Sequence, residues 1–123
     1  MPNALEPPMA IMKESPVHGR GMFASRPIKT GDVIECAPLI LFDRSEITKG
    51  SIIRDYDIRY SDDKHAIMLG HAGIYNHSDD SNASWHFNSV PEIVITAECD
   101  IEEGEEVFVN YGPGYWNHRK DKI

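Results

Sequence analysis

Apolar residues occur along the chain in short runs, which turn-forming residues interrupt about every ten positions from Ile11 onward. Short segments rich in Val, Ile, Phe and Thr predict β-strands, and these lie at 9–13, 21–26, 33–42, 92–99 and 106–110. A helical pattern is found at 51–60, where four apolar or aromatic residues fall on one face at three- and four-residue spacing. The pattern therefore predicts a mostly β, turn-rich domain with at most one or two helical turns.

The length of 123 residues allows one small domain. We expect a flexible N-terminus over 1–10, a single domain over 11–118 and a C-terminal tail over 119–123. The longest apolar stretch runs from Cys36 to Phe42, which is far below the ~18 residues that a membrane span needs. No basic-then-apolar leader opens the chain. The expectation is a protein that is neither membrane-spanning nor secreted.

The charge balance is strongly acidic, with 12 basic and 20 acidic residues and a formal net charge of −8. Such a surface is expected to repel nucleic acid, because binding to nucleic acid depends on cationic groups that neutralise phosphates. It favours cationic partners such as lysine-rich peptides by electrostatic steering. A solvated acidic surface that only aids solubility explains the same balance, so both interpretations stay open.

Neither cysteine nor histidine chemistry dominates the sequence. Cys36 and Cys99 lie in strand-like runs and make neither a disulfide framework nor a metal site, so a reducing compartment is expected, with a single buried bridge left open. The histidines are scattered, and we expect no metal site. Ser78 follows His77 directly and no G-x-S-x-G elbow is present, so a serine hydrolase is not supported either.

Three short motifs stand out from this background. Gly19-Arg20-Gly21 leads into Phe23 without the third glycine of a dinucleotide-binding loop, so it indicates either a tight turn or a place where backbone approaches a ligand closely. An Asn-His-Ser sequence follows at 76–78, with Asn82 beyond it, and a polar turn explains it equally well. The third motif runs from Gly104 through a strand into an aromatic and glycine-rich segment at 111–116.

The order of these motifs resembles that of the SET-domain protein lysine methyltransferases. The resemblance spans about 15–116, and within the family the chain is similar in particular to the very small viral SET proteins. It is carried by S-P-x-x-G-x-G-x-F-A at 15–24, L-G-x-x-x-x-x-N-H-S at 69–78, the Gly104-Glu-Glu stretch, and Y-G-x-x-Y-W at 111–116. Each motif is weak alone, but their order and distances are specific.

The resemblance implies a SET fold of several short sheets and few short helices. In that fold the C-terminal segment forms a pseudoknot that brings the N-H-S strand beside the Tyr111 segment. The implied cofactor is S-adenosyl-L-methionine, and the implied catalytic residue is Tyr111. The resemblance assigns cofactor binding to Gly19, Arg20, Gly21, Asn76, His77, Tyr111 and Trp116. It assigns the walls of a substrate-lysine channel to Tyr56, Tyr75 and Tyr115.

The implied function is methylation of a lysine, with a histone tail as the expected substrate and the nucleus, or a host's nucleus, as the expected location. A non-histone lysine substrate and an inactive SET-like module that binds basic peptides are the alternatives. The chain also departs from many family members, with Ala72 and Ile74 in place of Arg and Phe, and no cysteine-rich segment follows Trp116. The missing wall must come from Tyr115 and Trp116 or from a second subunit, so a homodimer is a further expectation.

Overall fold

The computed structural model describes residues 8–48, 50–52 and 57–112. These residues form nine strands and two short 3-10 helices, at Arg44–Glu46 and Ala72–Ile74. The strands are β1 (Ala10–Glu14), β2 (Arg20–Ala24), β3 (Val33–Asp43), β4 (Ile58–Arg59), β5 (Lys64–Met68), β6 (Asn76–His77), β7 (Ala83–Phe87), β8 (Glu92–Ala97) and β9 (Glu106–Val109). The predicted mostly β architecture is confirmed.

The strands form two sheets. The first has the order β1-β2-β9-β6 and the second has the order β4-β5-β3-β8-β7. All pairings are antiparallel except β6 with β9, which is parallel. Fully buried aliphatic side chains fill the core between and beside the sheets, among them Met22, Ile28, Ile34, Ile93, Ile95, Ile101 and Val107.

A bulge in β3 alters which side chains face inward. Val33 pairs with Thr96 and Glu35 pairs with Ile95, so Ile34 is the additional residue in its strand. A bulge interrupts the alternation of side chains along a strand, and consecutive residues from Ile34 to Ala37 are all buried. The carboxylate of Glu35 is thereby placed inside the molecule.

The helix predicted at 51–60 is wrong at its C-terminal end. Ile58 and Arg59 form β4, where they pair with Ala66 and His65 of β5; residues 53–56 lie outside the described part. The five predicted strands are present, and their ends agree with the prediction or differ from it by one or two residues. The sequence pattern missed β4, β5, β6 and β7, because these are short or mix polar with apolar residues and are stabilised by pairing with their neighbours.

Three smaller observations complete the description of the fold. The Met9 N–H donates to the Ile34 carbonyl, while the domain bounds given above stay predictions. The Cys36 thiol is buried and the Cys99 thiol is exposed, and both are free, so the bridge that the sequence left open is not formed. Within 8–48, 50–52 and 57–112, no helix is long and apolar enough to cross a membrane.

Candidate functional site

The second and third motifs lie side by side. Asn76 and His77 form β6, which runs parallel to β9 with Asn76 opposite Phe108 and His77 opposite Val109. The Ser78 N–H donates to the Val109 carbonyl at 3.1 Å and extends this contact by one residue. The adjacency that the resemblance implied for these two segments is confirmed.

The Asn76 side chain holds the first motif. Its Nδ2 donates to the carbonyls of His18 at 3.1 Å and Arg20 at 3.0 Å, and to Glu106 Oε2 at 2.8 Å. Asn76 is 7% exposed, so these bonds form away from solvent. The amide group therefore fixes the turn around Gly19, and contacts between Asn76 and a cofactor would fall to its main chain.

A half-buried carboxylate explains the second glycine of the G-x-G motif. A Cβ on Gly21 would lie 2.2 Å from Glu106 Oε2 and 3.0 Å from Asn76 Nδ2. The other oxygen of Glu106 accepts a hydrogen bond from Ser15 Oγ at 2.8 Å. We call Ser15, Gly21, Asn76 and Glu106 the polar clamp. Position 21 therefore requires glycine because the Glu106 side chain leaves no room for a Cβ, whether or not a ligand binds.

Gly19 has a different environment. It adopts φ +47, a conformation that glycine tolerates best, and a Cβ there would meet nothing within 4 Å. Its backbone therefore faces open space beside Arg20, whose side chain is exposed. The turn presents bare main chain and a cation to whatever binds there.

His77 positions Tyr111 through its ring. The Tyr111 N–H donates to His77 Nδ1 at 3.0 Å, and His77 Nε2 lies 2.9 Å from Asp79 Oδ1. Because Nδ1 accepts, the proton of the neutral ring belongs on Nε2, where it donates to Asp79. The two rings pack with their centroids 5.2 Å apart. His77 thereby fixes both the backbone and the ring of Tyr111.

Tyr111 lies on the wall of a cavity of about 260 Å³. Its hydroxyl donates to the Tyr75 carbonyl, and the remainder of the wall is largely apolar. The described wall residues include Ile58, Met68, Ala72, Ile74, Trp85 and Ile95. A long aliphatic side chain fits such a space, and a cation at its end would meet aromatic faces, which attract positive charge. We call this space the cavity.

Trp85 lines the cavity but belongs to none of the sequence motifs. Its Nε1–H donates to the Asn110 carbonyl at 2.9 Å, and its ring packs edge-on against Phe87. Asn82 connects the same strand region to β9, because its Nδ2 donates to the Glu106 carbonyl and its Oδ1 accepts from the Phe108 N–H. The sequence feature that could have pointed to Trp85 is Asn82, which follows the Asn-His-Ser motif and lies three residues before Trp85.

Tyr75 is not among the described residues that line the cavity. Tyr75 is fully buried, and its hydroxyl donates to Glu35 Oε1 at 2.7 Å. Burial, together with the charge of Glu35 and this hydrogen bond, raises the pKa of the Tyr75 hydroxyl above its ordinary range. The role of Tyr75 as a wall of the substrate channel stays a prediction. Tyr56, Tyr115 and Trp116 lie outside the described residues.

The donors and surfaces present are compatible with S-adenosyl-L-methionine. The open backbone at Gly19 would accommodate a closely approaching ligand, and exposed Arg20 suits a carboxylate. The cavity beside Tyr111 suits an apolar side chain. In the described part of the chain, no group of three or more His, Cys, Asp or Glu residues could hold a metal ion.

Comparisons with known proteins agree with the fold. The family model of the SET domain matches residues 19–112. The chain is similar to the Schizosaccharomyces pombe protein named histone-lysine N-methyltransferase, H3 lysine-37 specific, with 26% identity over 102 residues. The match covers 80% of this chain and 69% of the relative.

Two solved structures are similar in backbone. A Plasmodium falciparum protein assigned as a histone methyltransferase has a TM-score of 0.74 and 25% identity, and the match covers 90% of this chain and 99% of that one. A humanized mutant of the Polycomb Repressive Complex 2 of Chaetomium thermophilum, bound to the inhibitor GSK126, has a TM-score of 0.72 and 23% identity. That match covers 88% of this chain but 16% of the other, and at this identity it concerns the fold alone.

Proposed function

Because the chain belongs to the SET-domain family, we propose that it is an S-adenosyl-L-methionine-dependent protein-lysine N-methyltransferase that acts on a histone-tail lysine. The observation that carries the proposal is the placement of Tyr111. Its backbone is bonded to His77, its hydroxyl is bonded to the Tyr75 carbonyl, and its side chain lies on the wall of the cavity. The names of the Schizosaccharomyces and Plasmodium relatives support the substrate class.

The cofactor would supply a methyl group on a positively charged sulfur. The open backbone at Gly19 and the cationic side chain of Arg20 would hold the cofactor. The main chain of Asn76 and His77 would form the opposite wall of the cofactor site. The Asn76 side chain acts indirectly, since it keeps the turn in place.

The cavity would receive the aliphatic part of the substrate lysine. A free lysine has a pKa near ~10.4, and burial among apolar walls beside a sulfonium lowers that pKa through desolvation and like charge. When bound, the cofactor would supply the methyl group and leave as a neutral thioether, which keeps the electron pair of the carbon–sulfur bond. Tyr111 would orient the neutral amine that accepts the methyl group, and the proton of the amine would be lost to solvent. Tyr111 is the only ionisable side chain among the described residues of the wall, which agrees with solvent as the acceptor.

The contribution of the protein is then alignment. A phenol oxygen that donates to the Tyr75 carbonyl can also accept a hydrogen bond from the amine, which directs the nitrogen toward the methyl group. Good orientation of two reactants is worth ~7–11 kcal/mol of the barrier.

Surface charge supports a basic peptide as substrate, although less simply than the sequence suggests. Six acidic residues lie between Glu98 and Glu106. Glu106 belongs to the polar clamp, Asp100 bonds to Thr30, and Glu105 bonds to the Glu102 N–H. The exposed side chains of Glu98, Glu102 and Glu103 are better placed to attract a cationic partner. A nuclear location, kinship with the small viral proteins and a homodimer remain parts of this proposal.

The proposal is tested by mass spectrometry of core histones incubated with the protein and S-adenosyl-L-methionine. We expect a histone lysine to gain the mass of one or more methyl groups. Tyr111→Phe should lower the rate about 100-fold or more, as expected when the reacting groups lose their alignment. Tyr60→Phe is the matched control, because its hydroxyl bonds the Asn88 carbonyl and its ring packs on Phe87 rather than lining the cavity.

Each outcome separates the alternatives. Methylation by the wild type and Tyr60→Phe, with loss in Tyr111→Phe, supports the proposal. No histone methylation despite a rise in melting temperature with S-adenosyl-L-methionine moves the substrate to a non-histone lysine. Neither methylation nor a cofactor-dependent rise leaves a module that binds basic peptides without catalysis.

A further inference from the structure

We propose that Glu35 is a positioning residue for methyl transfer, which acts through Tyr75 on the Tyr111 hydroxyl and on one wall of the cavity. The effect on methyl transfer rests on the proposed function, whereas the positioning of the Tyr111 hydroxyl by Glu35 and Tyr75 does not depend on it. Glu35 is not among the described residues that line the cavity and belongs to none of the motifs, and nothing in the pattern of the sequence marks it.

Glu35 is a carboxylate in the core. It is 6% exposed, and the bulge between Val33 and Glu35 directs it inward between buried neighbours. Burying an ionised group costs several kcal/mol unless hydrogen bonds compensate for it, and an aliphatic residue would fill a sheet interior at less cost. The hydrogen bonds of this carboxylate must therefore compensate for the cost of its burial.

The two oxygens of Glu35 hold both ends of one short segment. Oε2 accepts from the His71 N–H at 3.0 Å, and Oε1 accepts from the Tyr75 hydroxyl at 2.7 Å. Between these two residues lies the 3-10 helix Ala72–Ile74. We call residues 71–75 the wall segment. Three of them, Ala72, Gly73 and Ile74, line the cavity, so the carboxylate holds in place a wall that it does not itself form.

The wall segment also supplies the acceptor for the catalytic tyrosine. The Tyr75 carbonyl accepts the hydrogen bond from the Tyr111 hydroxyl. With its side chain held by Glu35, Tyr75 is fixed at its ring and at its backbone. A displacement of this carbonyl would turn the Tyr111 hydroxyl away from the amine, although Glu35 and Tyr111 are connected only through Tyr75.

Two substitutions separate this role from bulk stability. Glu35→Gln keeps the shape, but its amide can accept only one of the two hydrogen bonds. Tyr75→Phe keeps the ring and removes the hydroxyl. The matched control is Glu92→Gln, a partly buried carboxylate in the neighbouring strand β8 that bonds to Asn88 and not to the wall segment.

The first readout does not depend on activity. The full-length protein is labelled with tyrosine carrying ¹³C at Cζ, and the Tyr111 signal is assigned from its loss in Tyr111→Phe. We expect the Tyr111 signal to shift in Glu35→Gln and Tyr75→Phe and to stay in place in Glu92→Gln. Should Glu35→Gln fail to fold, Tyr75→Phe carries the test alone, because it removes a single atom from the buried network.

The second readout is kinetic. We expect kcat to fall about 10- to 100-fold in both variants, with KM for the peptide changed less than about twofold, because a misplacement of about 1 Å in reacting groups costs up to about 100-fold. Glu92→Gln should retain wild-type kcat.

The outcomes distinguish this inference from the proposed function. An unchanged Tyr111 signal in folded Glu35→Gln and Tyr75→Phe overturns the inference, whether or not the wild type is active. A shifted signal with an inactive wild type supports the geometric role of Glu35 and rejects the enzyme. A shifted signal with an active wild type and unaltered kcat in both variants shows that the contact does not serve transfer, and overturns the inference.

Discussion

The polar clamp and the cavity lie on the two sides of the β6–β9 pair and are built in opposite ways. In the polar clamp, Asn76 and Glu106 direct their side chains at protein partners, and a Cβ at Gly21 has no room. In the cavity, apolar and aromatic walls leave about 260 Å³ of space beside Tyr111. One region is filled by side chains of the protein, and the other leaves open space in which we propose that the substrate lysine binds.

The contrast shows that the residues of the motifs and the residues that line the cavity are largely different sets. Gly21 and the Asn76 amide belong to the motifs, yet their nearest neighbours are groups of the protein. Trp85 and Ile95 belong to no motif, yet they line the cavity. Motif residues therefore position the site, while much of its surface comes from strands selected for packing.

The largest expected effect is that of Gly21→Ala on stability. A methyl group 2.2 Å from Glu106 Oε2 must displace the carboxylate and its hydrogen bonds, which should lower the free energy of unfolding by about 2–4 kcal/mol. Urea denaturation of the wild type and the variant measures the difference.

Gly19→Ala is the matched control for that prediction. A Cβ at Gly19 has open space around it, and only its positive φ opposes alanine, so a loss of about 1 kcal/mol is expected. Equal losses in the two variants would show that the polar clamp is not tightly packed at Gly21 and would remove the basis of the comparison.

A smaller effect is expected for Trp85→Phe at the cavity. The substitution removes the hydrogen bond from Nε1 to the Asn110 carbonyl and part of the wall, which should cost about 1–2 kcal/mol of stability. Because the cavity is the proposed substrate channel, the methylation rate should fall by more than this stability loss explains. An undiminished rate on histones would place the substrate lysine elsewhere.

The smallest effect concerns the stability of the second sheet in alkali. Burial raises the pKa of the Cys36 thiol to about 11 from 9.0, aided by a hydrogen bond with Glu92 and the charges of Glu92 and Glu35. As pH rises, the unfolded chain loses the thiol proton before the folded chain does. The stabilising contribution of the buried, protonated thiol to the free energy of unfolding is therefore fully present below pH 9 and is lost as pH rises toward 11. Cys36→Ala should show a shallower decline in unfolding free energy across that interval in urea denaturation. Parallel declines would mean that the thiol titrates alike in both states.

Much of the fold was accessible from local pattern. The strands at β2, β3, β8 and β9 have runs of aliphatic residues bounded by turns, and the pattern identified them. The helix expected at 51–60 was wrong where Ile58 and Arg59 pair with β5, because apolar spacing over a short segment does not distinguish a helix from an edge strand. The polar strand β6 was recognisable only through the motif that it carries.

A mostly β chain with three ordered motifs follows from local sequence, because turn glycines and apolar runs act between near neighbours. The contacts that those motifs make depend on the tertiary structure. Ser15 and Glu106 meet across 91 positions, and Glu35 and Tyr75 meet across 40. The space allowed at Gly21, the direction of the Asn76 amide and the wall that Trp85 supplies all depend on such distant contacts. Hydrogen bonding and close packing between distant strands are set by sheet register, which local sequence does not specify.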